Sequence, residues 1–179
     1  GLLVICSGKH TKRIPELMNG VKTYTGTILL GKTTPSFDLE TAFDETNYPI
    51  EHVTEELLEK ARKEFLGEQL QVPPVYSAKQ IDGKRAYDLA RAGKEVVLKS
   101  NTITISDFKI NLERFPEVDF EISCSKGTYI RSIAYDFGKA LQSGGCLTAL
   151  RRTKSGDLSI ENAKSVDDWI FEIRGPQAN

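Results

Sequence analysis

The alternation of hydrophobic and polar residues predicts a strand that runs directly into a helix. Hydrophobic residues occupy every second position from Val118 to Cys124, and a period of two is typical of a half-buried strand. Hydrophobic residues then recur at helical spacing from Ile130 to Leu141, and Ser143 with two glycines ends that pattern. The sequence therefore predicts a strand, a short junction and an amphipathic helix.

The junction between this strand and helix concentrates polar chemistry in a few residues. Gly127 allows a backbone conformation that a side chain would forbid, or a close approach to a ligand. If Tyr129 and Arg131 are extended, both side chains point to one face, whereas in a helix they lie roughly 200° apart. We expect the extended arrangement. Taken alone, Lys126-Gly127-Thr128 is explained as well by an ordinary basic turn that leads into a helix.

Further elements follow from turn and capping residues. Thr54 is placed to cap a helix whose first turn carries two glutamates. Asp82-Gly83 indicates a hairpin turn, and Ser165 is placed to cap a last helix. We expect short helices at 14–18 and 87–92, and a short buried strand or helix end at 1–7.

The predicted fold class is α+β, with a single domain over residues 1–179. Strands near 21–30, 96–110, 117–124 and 146–153 should form a mostly antiparallel sheet. Helices at 54–66 and 130–142 should pack on that sheet.

Composition indicates a globular chain. Of its 179 residues, 39% are hydrophobic and 27% are charged, which is enough for a folded core. No apolar run could span a membrane, and the first residues lack the basic lead-in of a signal peptide. Three dispersed cysteines and two histidines show no metal-ligand spacing, so the thiols should be reduced. We expect a cytoplasmic protein without metal or cofactor.

Charge is unevenly distributed, although the net charge is only −1. Eight acidic residues and no basic residue lie between Asp38 and Glu59, while six basic and three acidic residues lie between Lys79 and Lys99. This separation permits nucleic-acid binding on one face but does not require it, because mixed surface charge is common. The candidate phosphate contacts are Lys9, Lys12, Lys79, Lys84, Arg85, Arg151, Arg152 and Lys154.

Four segments, in the right order, resemble the bacterial tRNA pseudouridine synthase B family. The most specific are Val-Pro-Pro-Val-Tyr-Ser-Ala-Lys within 71–93 and Lys-Gly-Thr-Tyr-Ile-Arg within 123–138, the latter followed by Leu150-Arg151-Arg152. The other two lie within 1–12 and 22–34. Each is a weak signal alone, but four in register span almost the whole chain. They argue against a purely structural domain.

The resemblance implies a reaction. The family isomerises the T-loop uridine (U55) of tRNA, cutting the base from its sugar at N1 and rejoining it through C5. A stacked base cannot react in this way, so it must be flipped into a pocket. The implied partner is the T-arm stem-loop of tRNA, bound by a monomer in a cleft that crosses the sheet, and no cofactor is implied.

The resemblance also implies roles for individual residues. Arg131 would keep a nucleophilic Asp ionised, since a nearby opposite charge favours the charged form. Alone, such an arginine is more often a surface ion pair, and a strand tyrosine is more often part of a core. The implied site consists of catalytic Arg131, Tyr24 and Tyr129, with Leu150, Lys126 and Gly127 contacting the substrate.

The family's nucleophilic Asp is absent from the sequence. It lies in a Gly-Thr-Leu-Asp-Pro-Leu-Ala-Thr-Gly motif whose last glycine resembles Gly1, and Asp38, Asp82 and Asp136 belong to other family segments. We expect the chain alone to be inactive, its front end having been cut off, left out or supplied by another polypeptide. We also expect no RNA-binding domain after Asn179. The alternative function is a non-catalytic tRNA-binding module or RNA chaperone with the same surface.

Overall fold

A computed structural model describes residues 1–77, 80–81, 84–85 and 98–175, with the backbone alone at 80–81 and 84–85. The described α-helices are α1 (Ile14–Asn19), α2 (Glu55–Glu64), α3 (Ile130–Ala140) and α4 (Val166–Arg174). Short 3-10 helices lie at Gly8–Arg13 and Ile160–Asn162. The strands are β1 (Lys22–Leu30), β2 (Gly67–Gln71), β3 (Gln80–Ile81), β4 (Lys84–Arg85), β5 (Asn101–Arg114), β6 (Glu117–Cys124), β7 (Gly145–Ser155) and β8 (Leu158–Ser159).

A six-stranded sheet forms the platform of the molecule. Its strand order is β2-β5-β6-β1-β7-β8, and neighbouring strands pair antiparallel. One isolated parallel bridge joins Asp38 to Leu147 of β7. The predicted α+β fold with a mostly antiparallel sheet is therefore confirmed. β3 and β4 form a separate antiparallel pair, as the hairpin prediction requires, although the turn itself lies outside the described residues.

Three aromatic rings join the helices to one face of the sheet. Phe108 of β5 and Phe137 of α3 are fully buried, and their rings meet edge to face with centroids 5.6 Å apart. Phe65, which follows α2, makes edge contacts with both rings. Edge-to-face packing is a favourable aromatic geometry and adds to the free energy of burial. These contacts fix α2 and α3 over the sheet.

Irregular pairing between β1 and β7 sets the positions of several site residues. Register shifts occur between Thr23 and Tyr24 and between Thr27 and Ile28, and such bulges re-aim side chains. As a result, Arg152 is the partner of Tyr24, and Leu150 is the partner of Gly26. A Cβ at Gly26 would lie 2.3 Å from the Ala149 carbonyl oxygen, so the strands can approach this closely only at a glycine.

The start of α3 corrects one prediction. Tyr129 is extended (φ −95°, ψ 105°), but α3 begins at Ile130, so Arg131 is helical. The expected extended arrangement of Tyr129 and Arg131 is therefore wrong. The reason is tertiary, because the Gln71 side chain, 58 residues away in sequence, bonds both the amide and the carbonyl of Tyr129. The same carbonyl accepts the first helical hydrogen bond, from Ile133, at 3.2 Å.

Other boundaries also differ from those predicted. Residues 1–7 form no regular element, and Leu3 and Ile5 are 72% and 82% exposed. The predicted buried element is therefore wrong here, because an aliphatic run does not reveal whether a surface exists to cover it. β5 begins at Asn101, so Leu98 is not in a strand, and β2 was not predicted because it has one apolar residue and no alternation. The predicted helix at 87–92 and residues 96–97 lie outside the described residues.

Replacing Phe137 by alanine should destabilise the protein by about 3–5 kcal/mol, because it leaves a cavity where three aromatic rings meet. Phe171→Ala is the matched control, since that ring is 62% exposed and its loss should change the free energy of unfolding by less than about 0.5 kcal/mol. Urea unfolding followed by circular dichroism measures both changes. Similar losses for the two variants would contradict the placement of the core.

Candidate active site

Gln71 holds the junction between β6 and α3 in place. Its side chain is buried, its Oε1 accepts a hydrogen bond from the Tyr129 amide at 2.8 Å, and its Nε2 donates to the Tyr129 carbonyl at 3.0 Å. One turn into the helix, Ser132 Oγ donates to the Val72 carbonyl at 2.9 Å. Gln71, the last residue of β2, and Val72, which follows it, therefore fix the first turn of α3, which carries Arg131.

Arg131 is held by one carboxylate and two main-chain carbonyls. Nη1 lies 3.2 Å from Asp38 Oδ2 and 3.3 Å from the Ser36 carbonyl oxygen, and Nη2 donates to the Tyr76 carbonyl at 2.8 Å. The side chains of Arg131 and Asp38 are 21% and 25% exposed, so solvent and salt screen this pair less than a surface pair. From the sequence, Asp38 was set aside as the nucleophile because it lies in another family segment, and it was given no other role in the site.

The loop around Asp38 is fixed by short hydrogen bonds. Thr34 and Ser36 are almost fully buried, and their hydroxyls donate to the Asp38 carbonyl at 2.7 and 3.1 Å. The Glu40 amide donates to Asp38 Oδ1 at 3.0 Å. These bonds leave Oδ2 directed at Arg131, so a rigid loop presents the carboxylate to the helix.

Tyr24 lines a groove of about 280 Å³ next to the same junction. Lys22, Lys126, Gly127 and Arg152 also line it, together with apolar side chains of residues 4–18. Among the described lining residues there are three cations and no carboxylate. Such a groove has an excess of positive charge, which favours an anionic ligand.

The three cations of the groove are bound to neutral oxygen atoms. Lys22 Nζ donates to two main-chain carbonyls at the end of α1, and Lys126 Nζ donates to Asn19 Oδ1, each at 2.6 Å. Arg152 Nε and Nη2 donate to the Leu2 carbonyl at 2.9 and 2.6 Å. Burial lowers the pKa of Lys22, and the charges of Arg152 and Lys126 lower it further. Lys22 belongs to the segment within 22–34 that resembles the family, but no role was assigned to it from the sequence.

Burial also acts on the phenol of Tyr24. It raises the pKa of Tyr24 above its ordinary value, while the positive charge of Arg152 acts in the opposite direction. The phenol is therefore neutral around pH 7. It can stack on a base and donate a hydrogen bond, and it is not ready to act as a strong base.

Tyr24 and Arg131 lie on the same side of the sheet. Tyr24 alternates with Ile28 along β1 and packs against the hydrophobic core, and α3 covers that same core. Leu150 is 46% exposed, and its pairing with Gly26 places it on this side as well. Within the described residues, however, no hydrogen bond joins Arg131 or Tyr129 to Tyr24, so a shared site remains a prediction.

The predicted phosphate contacts are divided between surfaces. Arg151 and Lys154 pair with Thr25 and Thr23, so they face away from the groove, whereas Arg152 faces into it. Lys9 and Lys12 are exposed on the first 3-10 helix. Lys79 and the side chains of Lys84 and Arg85 lie outside the described residues.

Two features are absent from the described part of the chain. There, no group of three or more His, Cys, Asp or Glu side chains could hold a metal ion. Over the same ranges, no helix is long and apolar enough to cross a bilayer.

Comparison with known proteins identifies the family. The sequence model of the TruB family pseudouridylate synthase (N terminal domain) matches residues 1–130. The chain belongs to this family. The tRNA pseudouridine synthase B of Flavobacterium johnsoniae is 54% identical over 172 residues, which cover 96% of this chain and 74% of that protein. The protein of the same name from Phocaeicola vulgatus is 50% identical over 173 residues, 95% of this chain and 73% of the relative.

Solved structures support the fold of a TruB family member. A chain of the Cbf5-Nop10-Gar1 complex superposes with a TM-score of 0.64 at 22% identity, covering 93% of this chain and 42% of the other. A chain from an H/ACA RNP bound to a substrate RNA containing 2'-deoxyuridine gives a TM-score of 0.60 at 20% identity, with coverage of 93% and 40%. At this level of identity the likeness concerns the fold alone.

Tyr24 should titrate above pH 10.0, the ordinary pKa of a tyrosine, because burial disfavours the phenolate. The native state holds this proton more tightly than the unfolded chain, so the stabilisation is complete below pH 10.0 and is lost as the pH rises through the native pKa. The difference in ultraviolet absorbance between the wild type and Tyr24→Phe measures this pKa. Arg152→Gln should raise this pKa further, and Arg151→Gln on the opposite face should not. A Tyr24 pKa at or below 10.0 would contradict the burial of its phenol.

Proposed function

We propose that this chain forms part of a tRNA pseudouridine synthase that isomerises the T-loop uridine (U55) of tRNA. The observation that carries this proposal is a positively charged groove, lined by Tyr24, beside the junction that presents Arg131. Membership of the TruB family and the names of the relatives support the reaction class. The charge of the groove also fits, since its lysines and arginine can bind the anionic RNA backbone.

The reaction requires the target base to leave the stacked loop and enter a pocket. In the proposed complex the neutral ring of Tyr24 stacks on the flipped base, Leu150 and Tyr129 contact its edges, and Lys126 and Arg152 bind phosphate groups. These contacts follow general preferences, because aromatic rings stack on bases and cationic side chains bind phosphates. The groove next to the β6–α3 junction would therefore receive the flipped nucleotide.

The chemical step is an isomerisation within the nucleotide. The bond between C1' of the sugar and N1 of uracil breaks, a bond between C1' and C5 forms, C5 loses its proton and N1 gains one. Atoms and electrons balance without an oxidant or reductant, so no cofactor is needed. A carboxylate adjacent to Arg131 would stay ionised and could attack or stabilise the sugar carbon.

We further propose that residues 1–179 act as one unit on RNA, as a monomer in the cytoplasm. One T-arm stem-loop presents one target base, and all proposed contacts come from a single chain. Cys6, Cys124 and Cys146 are free thiols in the structure, in keeping with a reducing compartment.

A non-catalytic RNA-binding module is the second candidate function. One observation favours it. Among the described contacts, Asp38 is the carboxylate that pairs with Arg131, and a hydrogen bond within its own loop already holds it. Such a module would bind the T arm through the same groove and leave the uridine unchanged. Measurement of turnover separates the two functions.

The 179-residue polypeptide alone should form no pseudouridine on a T-arm transcript, because it lacks the Asp motif of the family. Joined to the corresponding N-terminal segment of the F. johnsoniae relative, it should become active, and changing the Asp of that segment to Asn should abolish the activity. Tritium release from C5-labelled uridine measures turnover. Turnover by the 179 residues alone would place the nucleophile within them, whereas an inactive fusion would favour the binding module.

RNA binding should weaken as salt rises, because each phosphate contact on a single strand contributes about −0.7 to the slope of log K against log salt. Lys126→Gln or Arg152→Gln should each reduce the magnitude of the slope by about 0.7, the contribution of one phosphate contact. Arg151→Gln should have less effect. Fluorescence anisotropy with a T-arm stem-loop measures the slope. A flat salt response, or equal binding to any polyanion, would argue against the groove as the RNA site.

Arg131→Ala in the active fusion should lower the single-turnover rate at least about a hundredfold, as expected when a partly buried charge loses its partner at a cost of about 3–5 kcal/mol. RNA affinity should change far less, because phosphate contacts elsewhere dominate binding. Arg131→Lys should restore little activity, since an ammonium group cannot copy the guanidinium fork. Equal and modest losses of rate and affinity would instead make Arg131 a phosphate contact.

A further inference from the structure

The residue before Asp38 has an unusual backbone conformation. Phe37 has φ 65°, in the left-handed region that bulky residues rarely adopt. Its amide donates to the Thr34 carbonyl at 3.1 Å, and its carbonyl accepts from the Leu147 amide at 2.9 Å. A strained conformation of this kind persists only where the surroundings determine it, and such residues cluster at functional sites.

The left-handed turn allows two consecutive side chains to reach one helix. In an extended segment, neighbouring side chains point to opposite faces, so Phe37 and Asp38 could not both contact α3. In this structure Asp38 pairs with Arg131, and the Phe37 ring stacks on Tyr135 with centroids 4.1 Å apart and planes 17° apart. Arg131 and Tyr135 are four residues apart, which places them on one helical face. The loop is thus attached to α3 at two points, one charged and one aromatic.

Packing alone does not account for this arrangement. Phe37 and Tyr135 are both partly exposed, and neither belongs to the hydrophobic core around Phe137. A stack with no positioning role would not require a left-handed bulky residue, because an ordinary turn could place a ring on the helix surface. What the strained conformation specifically achieves is the simultaneous contact of Phe37 and Asp38 with α3.

We propose that Phe37 and Tyr135 are a pair of positioning residues that hold the Asp38 carboxylate against Arg131. The aromatic stack fixes the loop along the helix, and the loop then fixes the guanidinium of Arg131 in one orientation. This inference rests on the proposed function, in which the orientation of Arg131 sets the rate of the chemical step. Neither ring needs to touch the RNA.

Tyr135→Leu in the active fusion should lower the single-turnover rate about 10- to 100-fold, because a small misplacement of Arg131 would disturb the geometry of the reaction. The same variant should leave RNA affinity within about twofold of the wild type. Tyr135→Phe is the matched control and should retain the rate, because it keeps the ring and loses only the hydroxyl. In an Asp38→Asn background the effect of Tyr135→Leu should largely disappear, since coupled residues are not additive. Equal rates for Tyr135→Leu and Tyr135→Phe, or an equal loss in the Asp38→Asn background, would overturn the proposal.

Phe37→Gly separates positioning from folding. Glycine adopts positive φ without strain, which offsets part of the stability lost with the ring. This variant should therefore still unfold cooperatively while losing rate as Tyr135→Leu does. A Phe37→Gly enzyme with the wild-type rate would also overturn the proposal.

A measurement on the 179-residue chain is independent of activity. Nitrogen-15 NMR should show hindered rotation of the Arg131 guanidinium in the wild type and in Tyr135→Phe, and faster rotation in Tyr135→Leu and in Asp38→Asn. If the fusion is inactive but this pattern is found, the proposed function fails and the positioning pair stands. If Arg131 remains hindered in Tyr135→Leu, the positioning proposal fails whatever the activity.

Discussion

The buried amide of Gln71 is the interaction on which the arrangement of the candidate site depends. It satisfies both the N–H and the C=O of Tyr129, the residue at which β6 gives way to α3. Leaving a buried donor or acceptor unpaired costs about 1–3 kcal/mol, so this pair of hydrogen bonds strongly favours one start for the helix. The position of that start decides where Arg131 projects and how the junction borders the groove.

Two different electrostatic environments lie on either side of this junction. Arg131 is paired with Asp38 and surrounded by carbonyl oxygens, an environment that holds a guanidinium in one orientation. The groove of Tyr24 instead gathers three cations with neutral acceptors, which leaves positive charge available to a ligand. An oriented charge suits a chemical step, and an available charge suits binding of a polyanion.

The resemblance to a family predicted part of this site. Hydrophobic periodicity and turn signals could not have predicted the remaining residues. Tyr24, Lys126 and Arg152 were predicted from motifs far apart in sequence, and they line one groove. No role in the site was assigned to Lys22, and Asp38 was set aside as the nucleophile, because neither residue reveals its partner in the sequence. Arg151 and Arg152, neighbours in one basic run, face opposite sides of the sheet.

The sequence by itself determined the secondary structure where a periodic face had to be buried. The alternation in β6, the apolar stripe of α3 and the Thr54 and Ser165 caps are local signals, and each matches an element. Contacts between distant residues decided the rest: the short strand β2, the exposure of Leu3 and Ile5, the helical state of Arg131 and its pairing with Asp38. The physical reason is that a hydrophobic period is written in adjacent residues, whereas the partner of a hydrogen bond or charge is chosen only when the chain has folded.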